Sequence, residues 1–292
     1  MISRPDKLFD KWCEFLQVAP ESDVPSVVCH YTNAAGLLGI LKGKSVFATD
    51  KHFLNDKMEV RYGIESANRT MKAQAQKDSV DMRTSELLNS TCTYIERSSD
   101  ERHFIFSMSE RRDDLSQWRG YAGDGQGFSV GIDARRIQSS SVGPSGIFAF
   151  NRISYSTMQF GNLIRTMSKD FSESMIDNND DIKDSAQNLS AAIDAAASFH
   201  KHASFRSERE WRIVSWLGSG EFNKVKLRSS DHRLIPYIDI PLCSDTEELP
   251  VLEIGIGPAV QNPNIRIAIE DLCRSANISP DIYDAATPFV RY

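Results

Sequence analysis

Phe104-Ile105-Phe106-Ser107-Met108-Ser109 runs through Glu110-Arg111-Arg112-Asp113-Asp114 into Leu115-Ser116-Gln117-Trp118-Arg119-Gly120-Tyr121. Glycines stand at 120, 123, 125 and 127, and the stretch ends in Phe128-Ser129-Val130-Gly131-Ile132-Asp133. The first six residues alternate. Phe104, Phe106 and Met108 therefore share one face of a strand, and Ser107 and Ser109 share the other. Asp113 or Asp114 begins a turn or short helix that carries Leu115, Trp118 and Tyr121. The glycine spacing lacks the Lys-Ser/Thr ending of a Walker loop and opens no dinucleotide-binding helix, so it reads as tight-turn geometry. Polar, aromatic and flexible residues thus lie between two buried strands, an arrangement that can hold a site open on a rigid frame.

Toward the N-terminus, Val27-Val28-Cys29-His30-Tyr31 is an extended pattern, and Thr32 or Asn33 can cap the helix after it. Leu37, Leu38, Ile40 and Leu41 supply that helix's apolar side, Gly43 ends it, and Ser45-Val46-Phe47-Ala48 is the next strand. His30 stands at a strand end. Its imidazole can bond a ligand hydroxyl while Tyr31 offers a flat stacking face, or it can bond a backbone carbonyl. Asn55 and Asp56 serve a turn and cap, or line a polar cleft. Leu8, Phe9, Trp12, Phe15 and Leu16 recur at helical spacing. Met71 to Leu88 reads as another helix, with Met71, Val80, Met82, Leu87 and Leu88 toward a core.

Toward the C-terminus, residues 167–197 are acidic and then alanine-rich, which reads as a helical covering segment. Phe205-Arg206-Ser207-Glu208-Arg209-Glu210-Trp211-Arg212-Ile213-Val214 follows. If extended, it puts Glu208 and Glu210 on one face. Two nearby carboxylates can disperse positive charge or divide acid and base work, or they can pair with Arg206 or Arg212. Glu210, nearer the apolar strand body, is the preferred functional carboxylate. Further strands are expected at 222–227, 234–240 and 251–256, with a short helix between Asn262 and Cys273. Glu253, in an otherwise apolar strand, fits an edge salt bridge or a site.

These elements predict a mixed α+β architecture. A helical extension is expected over residues 1–24 and a single domain over 25–292, with helical insertions near 60–100 and 165–200. The 292 residues are 40% apolar with a formal charge of −6, which argues against general affinity for nucleic acid. No apolar run is long enough to span a membrane. The five cysteines are scattered without metal-ligand spacing, so no structural metal and a reducing, cytoplasmic setting are expected.

The order of the short pieces resembles the family called domain of unknown function 2971. They are His30-Tyr31-Thr32, Phe53-Leu54-Asn55-Asp56 with Glu59, Phe106-Ser107-Met108-Ser109, Gln117-Trp118-Arg119-Gly120-Tyr121, Gly127-Phe128, Phe205, Glu208, Glu210-Trp211-Arg212 and Ile254-Gly255-Ile256-Gly257-Pro258. More distantly, the ordered His30, Ser107 or Ser109, and Glu210 resemble ADP-ribosyltransferase folds. The departure from that pattern is that the middle serines form no Ser-Thr-Ser signature.

The second resemblance implies a strongly bent sheet with peripheral helices and NAD as co-substrate, without a metal. It implies that His30 holds a ribose hydroxyl and that Tyr31, Trp118 or Tyr121 stacks on nicotinamide. Thr32, Ser107 and Ser109 would complete the cofactor contacts, and Glu210 would stabilise the oxocarbenium-like charge. Glu208 would select an acceptor, either a protein side chain or a nucleic-acid base. Asn55, Arg119 and Arg212 are further pocket candidates. Such an enzyme would be a transferase or NAD glycohydrolase, compatible with a defence or toxin role. The alternatives are a non-catalytic nucleotide- or peptide-binding sensor and a metal-dependent nuclease.

Overall fold

A computed structural model describes residues 21–54, 59–97, 102–140, 148–217, 221–230, 233–244 and 246–288. The amphipathic stretch Leu8–Leu16 and the Asn55-Asp56 turn lie outside the described residues. The chain divides into two compact units. Among the described residues, one comprises Lys51–Arg102 and Asn151–Arg206, and the other comprises residues 21–50, His103–Phe150 and residues 207–288.

The second unit is built on β3 (His103–Ser109). One edge of β3 pairs along its whole length with β6 (Glu210–Trp216), from His103 opposite Trp216 to Ser109 opposite Glu210. The other edge is shared. Near its start, Phe104 and Ile105 pair with Asp50 and Thr49 of β2 (Ser45–Asp50). At its end, Ser109 pairs with Cys29 of β1 (Val27–Thr32). Two strands therefore leave one edge of β3, and the sheet forks between them. Beyond β1 come β4 (Phe128–Asp133), β9 (Val251–Ile256) and β10 (Asp281–Asp284), the last pair parallel. Beyond β2 come β8 (Arg233–Pro241) and β7 (Lys226–Ser230). β5 (Phe148–Arg152) pairs with β6.

This corrects the expected sheet geometry. The sheet is mixed, but it is neither closed nor strongly curled: its order runs openly from β10 to β7. The strongly bent sheet is absent because the divided edge of β3 lets two sets of strands diverge by branching.

The alternation of β3 fills one core. Phe104, Phe106 and Met108 join Val28, Val46, Ala48, Val130, Ile132, Trp211, Ile213 and Ile254 in a single apolar cluster. Helix α1 (Ala34–Gly43), capped by Asn33 accepting from Gly36 N, adds Leu37, Ile40 and Leu41 to it. The opposite face carries Ser107, Ser109, Glu210 and Arg212 by register.

The other unit contains four helices, numbered in chain order: α2 (Glu59–Ala75), α3 (Met82–Arg97), α6 (Thr157–Asn178) and α7 (Ile182–Ala197). α4 (Leu115–Tyr121), α5 (Ala134–Ser140) and α8 (Ile265–Ala276) belong to the sheet unit. Residues 71–88 do not form one helix. Asp81 interrupts it, accepting from Thr84 N at 3.0 Å and from Thr84 Oγ1 at 2.6 Å. Met71, Leu87 and Leu88 are buried as expected, whereas Met82 is 82% exposed at the new helix start. Asn179, at φ 53°, ends α6, and Asp181 caps α7. Among the described residues no helix is long and apolar enough to cross a membrane.

Gly63 shows why a helix-weakening residue sits inside α2. A Cβ there would lie 2.8 Å from the Ala197 carbonyl oxygen and 2.9 Å from its Cα. Elsewhere in a helix, Gly→Ala gains about 1 kcal/mol. Here the contact is with backbone that must move. Gly63→Ala is expected to destabilise the protein by about 1–3 kcal/mol, read as a fall in thermal midpoint; a rise would show that α7 yields freely.

Candidate functional site

The fork in the sheet positions His30. Between Ile105, paired to β2, and Ser109, paired to β1, the Ser107 carbonyl faces neither strand, and the His30 side chain fills the gap with Nδ1 2.9 Å from Ser107 O. Because a carbonyl only accepts, Nδ1 carries the proton and Nε2 keeps a lone pair. The half-buried ring packs on Phe106 with centroids 4.2 Å apart. Burial pulls its pKa down to about 4; the Ser107 bond works against this and the Arg228 charge works with it. His30 is therefore a neutral acceptor at ordinary pH.

Tyr31 is buried, and its hydroxyl donates to Arg111 O at 2.7 Å and accepts from Asp114 N at 3.2 Å. Trp118 is fully buried against the edge of Tyr31 (4.8 Å, 83°) and donates from Nε1 to Asp113 Oδ1 at 2.6 Å. These rings form a small core with Cys29 and Ala122, which leaves neither of them a free stacking face. Tyr121, 42% exposed, donates its hydroxyl to Glu208 Oε1 at 3.4 Å. Arg119 is exposed and Thr32 is half-buried. The glycine loop is packed by backbone: Gly123, Asp124 and Gly125 have positive φ, and a Cβ at Gly127 would lie 2.2 Å from Thr32 O.

Asp113 also accepts from the amides of Ala286 (2.8 Å) and Thr287 (3.1 Å), so one carboxylate ties α4 to the C-terminal segment. Burial would raise its pKa, but the bonds from Trp118, Thr287 and these amides hold it below the usual carboxylate value. Its contribution is thus complete above the unfolded pKa and is lost as pH falls through the folded one. Asp113→Asn is expected to cost about 1.5–3 kcal/mol. Faster hydrogen exchange at Ala286 and Thr287 would accompany that loss, and unchanged exchange would remove the anchoring role.

The carboxylates of the Glu-Arg-Glu run do not share a strand. Arg209 adopts φ 44°, a left-handed conformation that breaks the extended chain, so Glu208 ends a 3-10 turn and β6 starts at Glu210. Such a residue in a non-glycine position is a strain found often at functional sites. Glu208 is half-buried, and its carbonyl accepts from Ser109 Oγ at 2.6 Å. Ser109 Oγ accepts in turn from Arg111 N at 3.0 Å. Glu210 is buried, with Oε1 2.6 Å from Nε of the fully buried Arg212.

The structure thus brings His30, Ser107, Ser109, Glu208 and Glu210 onto the three adjacent strands β1, β3 and β6 or their ends. His30 leans on the Phe106 side, whereas Ser109 and Glu210 share the other face with Cys29. Glu253 is half-buried in a salt bridge to Arg112 Nε at 2.8 Å, and Cys29 Sγ donates to its other oxygen at 3.6 Å. Burial, followed by the Glu253 charge, pushes the Cys29 thiol far up, so this thiol is not a nucleophile. Among the described residues no group of three or more His, Cys, Asp or Glu side chains could hold a metal ion.

One residue near the fork escaped sequence reasoning. Arg228 of β7 donates from Nη2 to Thr49 Oγ1 at 2.9 Å. Only the pairing order of β2, β8 and β7 brings together residues 179 positions apart.

The chain is thus an α+β protein with an open, forked, mixed sheet and a half-buried neutral histidine at the fork. Over residues 117–213, from α4 into β6, it matches a family described as a protein of unknown function, DUF2971. No curated protein and no solved structure matches it.

Proposed function

We propose that the sheet unit binds NAD at the fork and catalyses ADP-ribosyl transfer or NAD hydrolysis. One observation supports this reading. β3 has β1, which carries His30, on one edge and the carboxylate-bearing β6 on the other, so the strands that carry the groups proposed to hold the ribose and face its anomeric carbon run two strand spacings, about 10 Å, apart. The neutral His30 Nε2 accepts a ribose hydroxyl. Glu210, oriented by Arg212, faces the positive charge that develops as the C–N bond to nicotinamide breaks and its electron pair leaves with the base. The acceptor oxygen or nitrogen then bonds to that carbon and gives its proton to Glu208, the carboxylate open to solvent. The acceptor is water, a protein side chain or a nucleic-acid base. Cys29, Cys92 and Cys273 are free thiols, which supports a reducing, cytoplasmic setting.

The test is incubation with NAD labelled in the ADP-ribose part, with and without mixed acceptors, following nicotinamide release and label transfer. Neither product, with working controls, would sink the enzyme reading. A second reading, a nucleotide-binding module without bond cleavage, is favoured by the tight engagement of Glu210 with Arg212 and by the opposite faces of His30 and Glu210. Saturable NAD binding without product identifies it.

A further inference from the structure

Thr49 and Arg228 belong to a second set of groups on the Ser107 side of the sheet. Pairing sets Thr49 beside Tyr237 and Tyr237 beside Lys226, with Arg228 and Ile235 in the next row, all on the face that carries Ile105 and Ser107. Arg228 does not stay over its own strand. To reach Thr49 on β2 its side chain crosses β8, two strand spacings or about 10 Å. The guanidinium ends half-buried, near enough to His30 for its charge to act on the imidazole.

Among the described residues Arg228 has no counter-ion there. Its Nε is buried with no acceptor, and among the described residues no carboxylate pairs with it. Its neighbour in the strand, Lys226, is neutralised by Asp239. Burying a cation without a partner is costly, and a guanidinium fork with unused donors matches a phosphate or carboxylate in two directions. Burial pulls the Arg228 pKa below its ordinary value, yet the group stays charged across the physiological range. Tyr237, half-buried and packed on Phe47 with centroids 4.7 Å apart, adds an aromatic face in the row of Thr49. A cation, a hydroxyl and an aromatic ring on one face suit the phosphate end of a nucleotide.

We propose that Arg228, held by Thr49 and flanked by Tyr237, is an anion subsite that receives the pyrophosphate of a nucleotide. This extends the NAD reading of the fork, but the subsite is testable without it. Inorganic pyrophosphate, ADP-ribose and NAD are titrated against the full chain and against Arg228→Gln, Arg228→Lys and Thr49→Val.

Wild type should bind pyrophosphate and ADP-ribose. Arg228→Gln should weaken both at least tenfold, with Arg228→Lys in between because it keeps the charge but not the fork. Thr49→Val should weaken them about threefold through lost orientation, in line with one hydrogen bond. The thermal midpoint of Arg228→Gln should hold or rise, since a buried donor without a partner is removed. A fall in midpoint with unchanged pyrophosphate affinity makes Arg228 a strand staple and overturns the subsite, as does wild type that binds no pyrophosphate. Pyrophosphate binding that depends on Arg228, in a chain that neither binds nor cleaves NAD, supports the subsite and sinks only the NAD reading. NAD cleavage with Arg228→Gln as tight as wild type does the reverse.

Discussion

Replacing Arg212 with methionine should cost about 3–5 kcal/mol of stability, the largest effect expected of a single substitution in this protein. Arg212 is fully buried and the Glu210 side chain is 6% exposed, with 2.6 Å between the charged atoms. Removing the guanidinium takes from a buried carboxylate the cation that lies 2.6 Å from it. The cost is the desolvation of a carboxylate that loses this donor rather than the value of the pair. Glu210→Leu together with Arg212→Met, which removes both charges of the pair at similar volume, should therefore recover most of the loss. Urea unfolding followed by tryptophan fluorescence reads both as shifts in midpoint at constant slope. If Arg212→Met alone lowers stability by less than about 1 kcal/mol, the pair is solvated and Arg212 does not hold Glu210 in a dry sheet face.

If the sheet unit cleaves NAD as proposed, Glu210→Gln should lower that cleavage by about 10²–10³-fold, and because it leaves the buried Arg212 cation facing a neutral amide its stability is measured alongside. His30→Ala should act differently. It removes the plug of the fork and, in the NAD reading, the ribose contact, so under that reading NAD affinity should fall about tenfold along with turnover.

The pH profile separates the two roles. The His30 pKa is pulled down to about 4, so its Nε2 lone pair persists on acidification until close to that value. Under the NAD reading, NAD affinity should stay flat from pH 8 to about 5 and fall below it. Stability has the same sign with a wider window. The unfolded chain takes up the His30 proton near pH 6.5 and the folded chain only near 4, so stability is complete above 6.5 and is lost progressively between those values. An affinity that drops already at pH 6.5 would mean that His30 titrates normally and is open to water.

Much of the sheet was legible because β structure writes a period of two into the chain. Phe104, Phe106 and Met108 alternate with Ser107 and Ser109, and the structure puts the former in the core and the latter on the opposite face. Local rules also sufficed at α1, where Asn33 caps and the Leu37-Ile40-Leu41 spacing buries one side. They failed between Met71 and Leu88, because a helical period continues through a capping aspartate that the apolar pattern does not weigh. The parity argument for Glu208 and Glu210 failed at a single φ angle at Arg209, a conformation that residue type does not announce.

Residue identity alone singled out His30, Trp118, Glu208 and Glu210, since such side chains at strand ends carry chemistry in many settings. It did not tell a free aromatic ring from a buried one. Trp118 became a core residue because Asp113 and Tyr31 enclose it, and Tyr121, three residues on along the same short helix, stayed exposed.

By itself, then, the sequence of this protein determined the mixed α+β class, most of its strands and helices and which strand faces are apolar, because each of these follows from interactions between near neighbours. The tertiary structure alone decided that the sheet forks instead of bending strongly, that His30 plugs the fork, that Arg212 holds Glu210, and that Arg228 reaches Thr49 without a carboxylate to meet it among the described residues. Each of these depends on which distant strands pair, and pairing is set by the burial of a whole sheet face that no local window contains.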